Sequence, residues 1–171
     1  MTVLDIFHIG IVVPDIEVAA HELTAGLGLE FVEPRIARAA AFDDRGSTRE
    51  LELRISYSRQ GPPYIELLES QGIEGLYGSR EMGLHHVGLW TADPASVLKH
   101  LSGEGIRIEA AQYGADSSII ALYTEPSAMA GTRFEYVNRA LQPDVDLWLQ
   151  TAPALRSEAT GDLPNSPPGG S

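Results

Sequence analysis

The chain has 171 residues, 43% of them hydrophobic, no cysteine and a formal net charge of −12. That size suits one compact domain or two small halves sharing a core, and the charge excludes nucleic acid, which needs a basic face. The missing cysteines exclude disulfides and thiolate chemistry, and no apolar run approaches the ~18 residues of a membrane span.

In chain order, Ile6–Val13 is an apolar run closed by Pro14-Asp15, and predicts a strand followed by a helix that Asp15 caps. The helix is expected over about Ile16–Ala25, ended by Gly26 and Gly28. A strand over Leu29–Arg35 and a polar loop, Ala41–Thr48, come next. Glu50–Ser58 alternates, with Leu51, Leu53, Ile55 and Tyr57 on one face. A Gly-Pro-Pro turn then leads to the strand Tyr64–Glu69. Residues 71–84 form a Gly-rich linker with little periodicity.

The second half repeats the order: strand His86–Thr91, a helix over Ala95–Ser102 with Pro94 at its start, then strands Ile106–Ala110, Ser118–Tyr123 and Arg133–Asn138. The expected organisation is a first β-α-β-β-β module over 1–70, a linker over 71–84, a second module over 85–140 and an extension over 141–155. In the extension, Val145–Leu149 with Trp148 predicts a short helix covering an edge or a partner. Residues 156–171 are Pro, Gly, Ser and acidic residues, a composition that predicts disorder. Asp5 and the lack of a basic region before an apolar stretch leave no signal peptide visible, so a cytoplasmic setting is expected.

The organising feature is an internal repeat. His85-His86-Val87-Gly88 with Asp93 echoes Phe7-His8-Ile9-Gly10 with Asp15 at an offset of 78 (86 minus 8). Each module opens with a histidine on a strand and closes with a glutamate on one, Glu66 and Glu135, 69 apart (135 minus 66). A glutamate among large apolar residues in a buried strand is costly unless paired or bound to a cation. About a pseudo-twofold axis, His8, Glu66, His86 and Glu135 converge. Two imidazoles and two carboxylates suit a divalent metal with positions open for water or substrate: Zn, or Ni, Co or Mn in octahedral form.

The paired His-x-Gly strands, the Pro/Asp-initiated helices and the two strand glutamates resemble the vicinal oxygen chelate superfamily. It includes glyoxalase I, methylmalonyl-CoA epimerase, extradiol dioxygenases and bleomycin-resistance proteins. The resemblance spans about residues 6–140 and implies an α+β fold, two tandem β-α-β-β-β modules whose curved mixed sheets enclose a metal-binding cleft. It implies His8, Glu66, His86 and Glu135 as ligands. His85 then points to the opposite sheet face, as a structural or supporting residue. A His-Glu-His-Glu set is similar to bacterial glyoxalase I, whereas the epimerase usually has Gln at the position of Glu66. The wording around His86 and from Pro126 to Glu135 is more like the epimerase.

The shared chemistry implied is proton abstraction next to a carbonyl, through an enolate that a metal stabilises. That makes the expected function an epimerase or isomerase of an acyl-CoA or other anionic carbonyl compound. A glyoxalase I-like lyase and a non-catalytic binding or resistance protein are the alternatives. Glu135 is the first candidate base and Glu50 the second. Six arginines crowd residues 35–59 and point to an anion site, with Arg49, Arg54, Tyr64 and Tyr113 as candidate substrate contacts. A homodimer is expected, with Val145–Leu149 as a contact.

Overall fold

The computed structural model describes residues 5–156. The first half runs β1 (Ile6–Val13), α1 (Ile16–Leu27), β2 (Arg35–Asp44), β3 (Ser47–Tyr57) and β4 (Tyr64–Glu69). The second repeats it as β5 (Gly83–Thr91), α2 (Pro94–Gly103), β6 (Ile108–Tyr113), β7 (Ile119–Thr124) and β8 (Phe134–Asn138), followed by α3 (Gln142–Thr151). The eight strands close a barrel in the order β1-β4-β3-β2-β6-β7-β8-β5. Pairing is mixed: β1 is parallel to β4 and β5 to β8, and the other neighbours are antiparallel. Full closure leaves no open sheet edge. Both halves come from one chain, so the barrel needs no exchange between subunits.

The capping signals act as the sequence suggests. The Asp15 carboxylate accepts from the Val18 N–H at 2.9 Å, and Asp93 accepts from the Ser96 N–H at 3.0 Å. Gly28 ends α1 at φ 70°. Two elements differ from the sequence reading. Residues 29–32 form only isolated bridges, Phe31 to Ser58 and Val32 to Ala154, and the strand begins at Arg35. The polar segment 41–48 is no loop but the β2–β3 hairpin, turned on Arg45-Gly46 at φ 53° and 83°. A primed two-residue turn is usually announced by Asn-Gly. Here Arg45 stands in that place, and the Asp43 carboxylate accepts the Gly46 N–H at 3.1 Å.

Two apolar layers follow from strand alternation. Leu51, Leu53, Ile55, Phe42, Tyr123 and Val137 face the lumen. Outside, Ile16 and Ala20 of α1 pack on Val13, Phe31 and Leu67. α3 lays Val145 and Leu149 on the barrel core, so of the two coverings the sequence allows, an edge or a partner, these two residues cover their own barrel. Arg59 fixes the end of α3 by donating to the carbonyls of Leu149 at 2.8 Å and Ala152 at 2.6 Å. Among the described residues no helix is long and apolar enough to cross a membrane.

Ile16 is fully buried where α1 docks. Ile16→Ala should therefore lower the unfolding free energy by about 3 kcal/mol. Urea denaturation should show a lower midpoint with an unchanged slope.

Candidate metal centre

The centre grows out of one row of cross-strand pairs. On the β1–β5 seam, His8 pairs with Gly88 and Gly10 with His86. On the flanking parallel ladders, Gly10 pairs with Glu66 and Gly88 with Glu135. Four adjacent strands, β4-β1-β5-β8, thus bring two histidines and two glutamates to one depth of the lumen. The glycines are required by space. A Cβ on Gly10 would sit 2.1 Å from the His86 ring, and one on Gly88 would sit 2.3 Å from the His8 ring. Each His-x-Gly motif makes room for the other's imidazole.

His8, Glu66, His86 and Glu135 are all buried, and one ligand atom from each lies within 4.8 Å of the others. His8 Nε2 is 2.8 Å from His86 Nε2, 3.1 Å from Glu66 Oε2 and 2.8 Å from Glu135 Oε2. His86 Nε2 is 3.3 and 3.1 Å from the same two oxygens. Donor atoms about 2.1 Å from one ion and at right angles to each other lie about 3.0 Å apart, so the set fits a divalent cation. Glu135 Oε2 supports the fit further: it is buried and aimed into the cluster, where the two imidazoles pair with it by charge and no well-aligned hydrogen bond holds it.

Each carboxylate is turned by a tyrosine on the neighbouring strand. Tyr57 pairs with Glu66 and donates its hydroxyl to Oε1 at 2.7 Å. Tyr123 pairs with Glu135 and donates to its Oε1. Behind Tyr123, the Tyr77 hydroxyl donates to it at 2.8 Å and the Gln112 amide to Tyr77 at 2.8 Å. Oε1 is thereby occupied on both glutamates, and Oε2 points inward. Burial and the nearby glutamates push all three phenols well above their ordinary range, so they stay protonated donors. Burial opposes charge on the carboxylates too. His8 nonetheless holds Glu66 down to about 2, and His86 with His8 holds Glu135 well below the carboxylate range. Against the same burial, Glu66 and Glu135 raise His8 to about 10. Without a metal, cationic imidazole balances the glutamates.

His85 lies where the sequence reading did not put it. Gly10 pairs with His86 and Ile11 with Leu84, so His85 is a bulge residue and its ring is turned inward beside His86. β1 carries a bulge at Phe7, the repeat equivalent of His85. Burial, with the charges of His86 and Arg133, pushes His85 down to about 3 and keeps it neutral. Its Nε2–H donates to the Leu76 carbonyl at 2.8 Å, so Nδ1 is an acceptor. His86 Nδ1, 2.8 Å away, must then carry a proton, which leaves the lone pair of neutral His86 on the inward Nε2. His8 has no such partner: its Nδ1 is an unsatisfied buried nitrogen behind Phe7, which meets the His8 ring edge-on at 4.5 Å.

The remaining sequence-picked residues are not gathered here. Glu50 is exposed and shares the outward parity of Glu52 and Arg54, opposite the lumen-facing Leu51. Arg54 is held by Glu17 and by Glu69 at 2.7 Å. Arg49 is exposed, 5.2 Å over the Phe42 ring. Tyr64 packs beside Phe7 with ring centroids 6.0 Å apart, and Tyr113 lines a separate pocket with Asp43 and Arg45. Sequence reasoning missed Tyr57, Tyr77, Tyr123 and Gln112. The usable signal was a tyrosine ending the inward alternation of each strand that precedes a glutamate strand. Tyr77 gave none, since it belongs to the aperiodic segment.

Gly88→Ala should displace the His8 ring and weaken divalent-metal binding roughly 10- to 100-fold with the barrel still folded, as read by metal titration and circular dichroism. His85→Phe, which copies Phe7 into the second strand, should lower metal affinity about tenfold or more by releasing the His86 tautomer. Unchanged affinity in that variant would remove His85 from the site.

Comparisons with known proteins agree with the architecture. No curated protein matches the sequence. Among solved structures, Streptomyces coelicolor methylmalonyl-CoA epimerase in complex with 2-nitronate-propionyl-CoA superposes with a TM-score of 0.58 at 20% identity, covering 80% of this chain and 98% of that one. Methylmalonyl-CoA epimerase from Mycobacterium tuberculosis gives 0.58 at 22%, over 85% and 97%. At such identities the likeness speaks for the fold. A family model matches residues 7–122, more than half of the sequence, and the chain belongs to the Glyoxalase/Bleomycin resistance protein/Dioxygenase superfamily.

Proposed function

We propose that this protein is a divalent-metal-dependent enzyme that moves a proton on the carbon next to a carbonyl, with His8, Glu66, His86 and Glu135 as the metal ligands. The observation that carries the reading is the convergence of those four buried groups, three of which, His8, Glu66 and Glu135, line a cavity of about 110 Å³. A divalent cation held there would act as a Lewis acid on the carbonyl oxygen of a substrate. Glu135 takes the proton from carbon with Oε2, the inward oxygen, while Oε1 is held by Tyr123. Tyr123 keeps a hydrogen bond on Oε1 throughout, and the Tyr77–Gln112 chain holds Tyr123 in place. Glu66 Oε2, from the other half of the pseudo-symmetric pair, is placed to return a proton from a second direction. Apolar walls, Leu51, Leu53 and Ile55 among them, keep water from the intermediate.

An epimerase or isomerase of an anionic carbonyl compound is the first form of this reading. Structural neighbours crystallised with acyl-CoA compounds support it. A glyoxalase-like lyase is the second, favoured by one observation. Among the described residues, the pocket lining holds no carboxylate beyond Glu66 and Glu135, so proton return rests on the pair itself. The homodimer and the cytoplasmic setting remain part of the proposal.

Purified protein should bind about one equivalent of Zn, Ni, Co or Mn. Less than roughly a tenth of an equivalent, with no gain on metal addition, would sink the metalloenzyme reading. Glu135→Gln should keep the metal while slowing deuterium exchange at the α-carbon of a racemisable acyl-CoA at least about 100-fold. Turnover of a glutathione hemithioacetal, with no such exchange, would select the lyase.

A further inference from the structure

Of the six arginines between positions 35 and 59, five are spent on the fold or the surface. Arg38 pairs with Glu52 at 2.8 Å, Arg45 with Glu81 at 2.8 Å, and Arg54 with Glu17 and Glu69. Arg59 caps α3, and Arg49 lies exposed over Phe42 near Gln71. Arg35 differs from all of them. It is half-buried, it lines the same cavity as His8, Glu66 and Glu135, and among the described residues no carboxylate lies within ion-pair distance of it. It stacks on the Trp148 ring of α3, with the guanidinium carbon 4.0 Å from the ring centroid, while Asp144 and Glu66 act on it through space without an ion pair.

A half-buried guanidinium is costly to leave without a carboxylate in direct hydrogen-bond contact. Stacking on an indole face uses one surface of the planar group and leaves its in-plane N–H edge free, the edge that grips a carboxylate with two parallel hydrogen bonds. The cavity that Arg35 and the ligand cluster share is walled by Ala37, Leu51, Leu53, Ile55 and Ile120, with Gln112 and the hydroxyl-bearing Tyr57, Tyr77 and Tyr123 as its other polar groups. At about 110 Å³ the cavity is small beside the roughly 300–1,000 Å³ of ordinary ligand pockets. Its volume suits the short acyl or oxo-acid unit of a substrate.

We propose that Arg35, seated on Trp148, is the carboxylate anchor of the substrate pocket, so that the substrate is a small carbonyl compound carrying its own carboxylate at the end remote from the metal centre. The substrate part of this inference rests on the proton-transfer reading above, whereas the anchor itself does not. Arg35 holds the carboxylate, the apolar strip accepts a short aliphatic segment, and the carbonyl reaches the ligand cluster. α3 takes part in recognition through Trp148, which gives the C-terminal helix a role beyond covering the barrel.

The test is calorimetric titration of malonate into the metal-loaded and metal-stripped protein, as wild type, Arg35→Lys and Arg35→Gln, with inorganic phosphate as the second probe and metal content measured on every sample. The expected result is malonate binding that falls at least about tenfold in Arg35→Gln and less in Arg35→Lys, with metal content unchanged. Equal malonate affinity in wild type and Arg35→Gln overturns the anchor, as does no malonate binding by folded, metal-loaded wild type. Phosphate binding as tightly as malonate overturns the carboxylate assignment. If the protein takes up no metal yet malonate binding still depends on Arg35, the metalloenzyme reading fails and the anchor stands.

Discussion

The structure depends on keeping two carboxylates charged inside an apolar barrel. Burial alone would make Glu66 and Glu135 neutral. They stay ionised because two imidazoles face them and a phenol donates to each from the adjacent strand. A partly satisfied polar network in a core is worse than none, so all of its members are needed together. The inward Oε2 atoms, which the phenols leave free, are then the groups that a cation or a substrate proton would take up.

The repeat explains how one chain builds such a cluster, and its broken symmetry explains more. Gly10 and Gly88 are interchangeable in role, each leaving space for the opposite imidazole. Phe7 and His85 occupy equivalent bulges but do different things. Phe7 stacks on Trp90 at 4.0 Å and meets His8 edge-on, while His85 fixes the tautomer of His86. The two histidines of the pair are therefore chemically unequal. Behind the cluster, His86 is oriented by a chain of hydrogen bonds reaching the Leu76 carbonyl, whereas the outer Nδ1 of His8 has no hydrogen-bond partner.

Much of this was legible in the sequence. The His-x-Gly echo carries the β1–β5 seam, and a glutamate amid apolar strand residues marks each flanking ladder. What stayed hidden has physical causes. The Arg45-Gly46 turn looks like a loop because its positive φ values fall on a pair outside the usual hairpin signals. The segment around Tyr77 has no period, yet buries Leu76 and Tyr77 by reaching across to Asp44 and Tyr123. Glu50 is a candidate base only through the resemblance to the epimerase, which places a carboxylate in that region. Parity turns it outward, since Leu51 and Leu53 face the lumen. Crowded arginines read as an anion patch, and only tertiary structure separates those consumed by Glu17, Glu52, Glu69, Glu81 and Glu109 from Arg35.

Barrel closure also divides the labour of the lumen. Strands β4, β1, β5 and β8 are contiguous and carry the four ligand-type residues, whereas β3, β2, β6 and β7 form the facing wall. That wall holds Leu51, Leu53, Arg35, Ala37, Gln112 and Ile120, none of which touches the histidines. Tyr57 and Tyr123, at the ends of β3 and β7, reach across to the two glutamates. Substitutions on the facing wall can therefore change what is bound without altering the charge balance among the two imidazoles and two carboxylates. A fold arranged this way can keep one reaction type while its substrates diverge. It also follows why the residues that choose the substrate left no repeat in the sequence: no symmetry constrains them, because a substrate with a carboxylate at one end and a carbonyl at the other has no twofold axis to match.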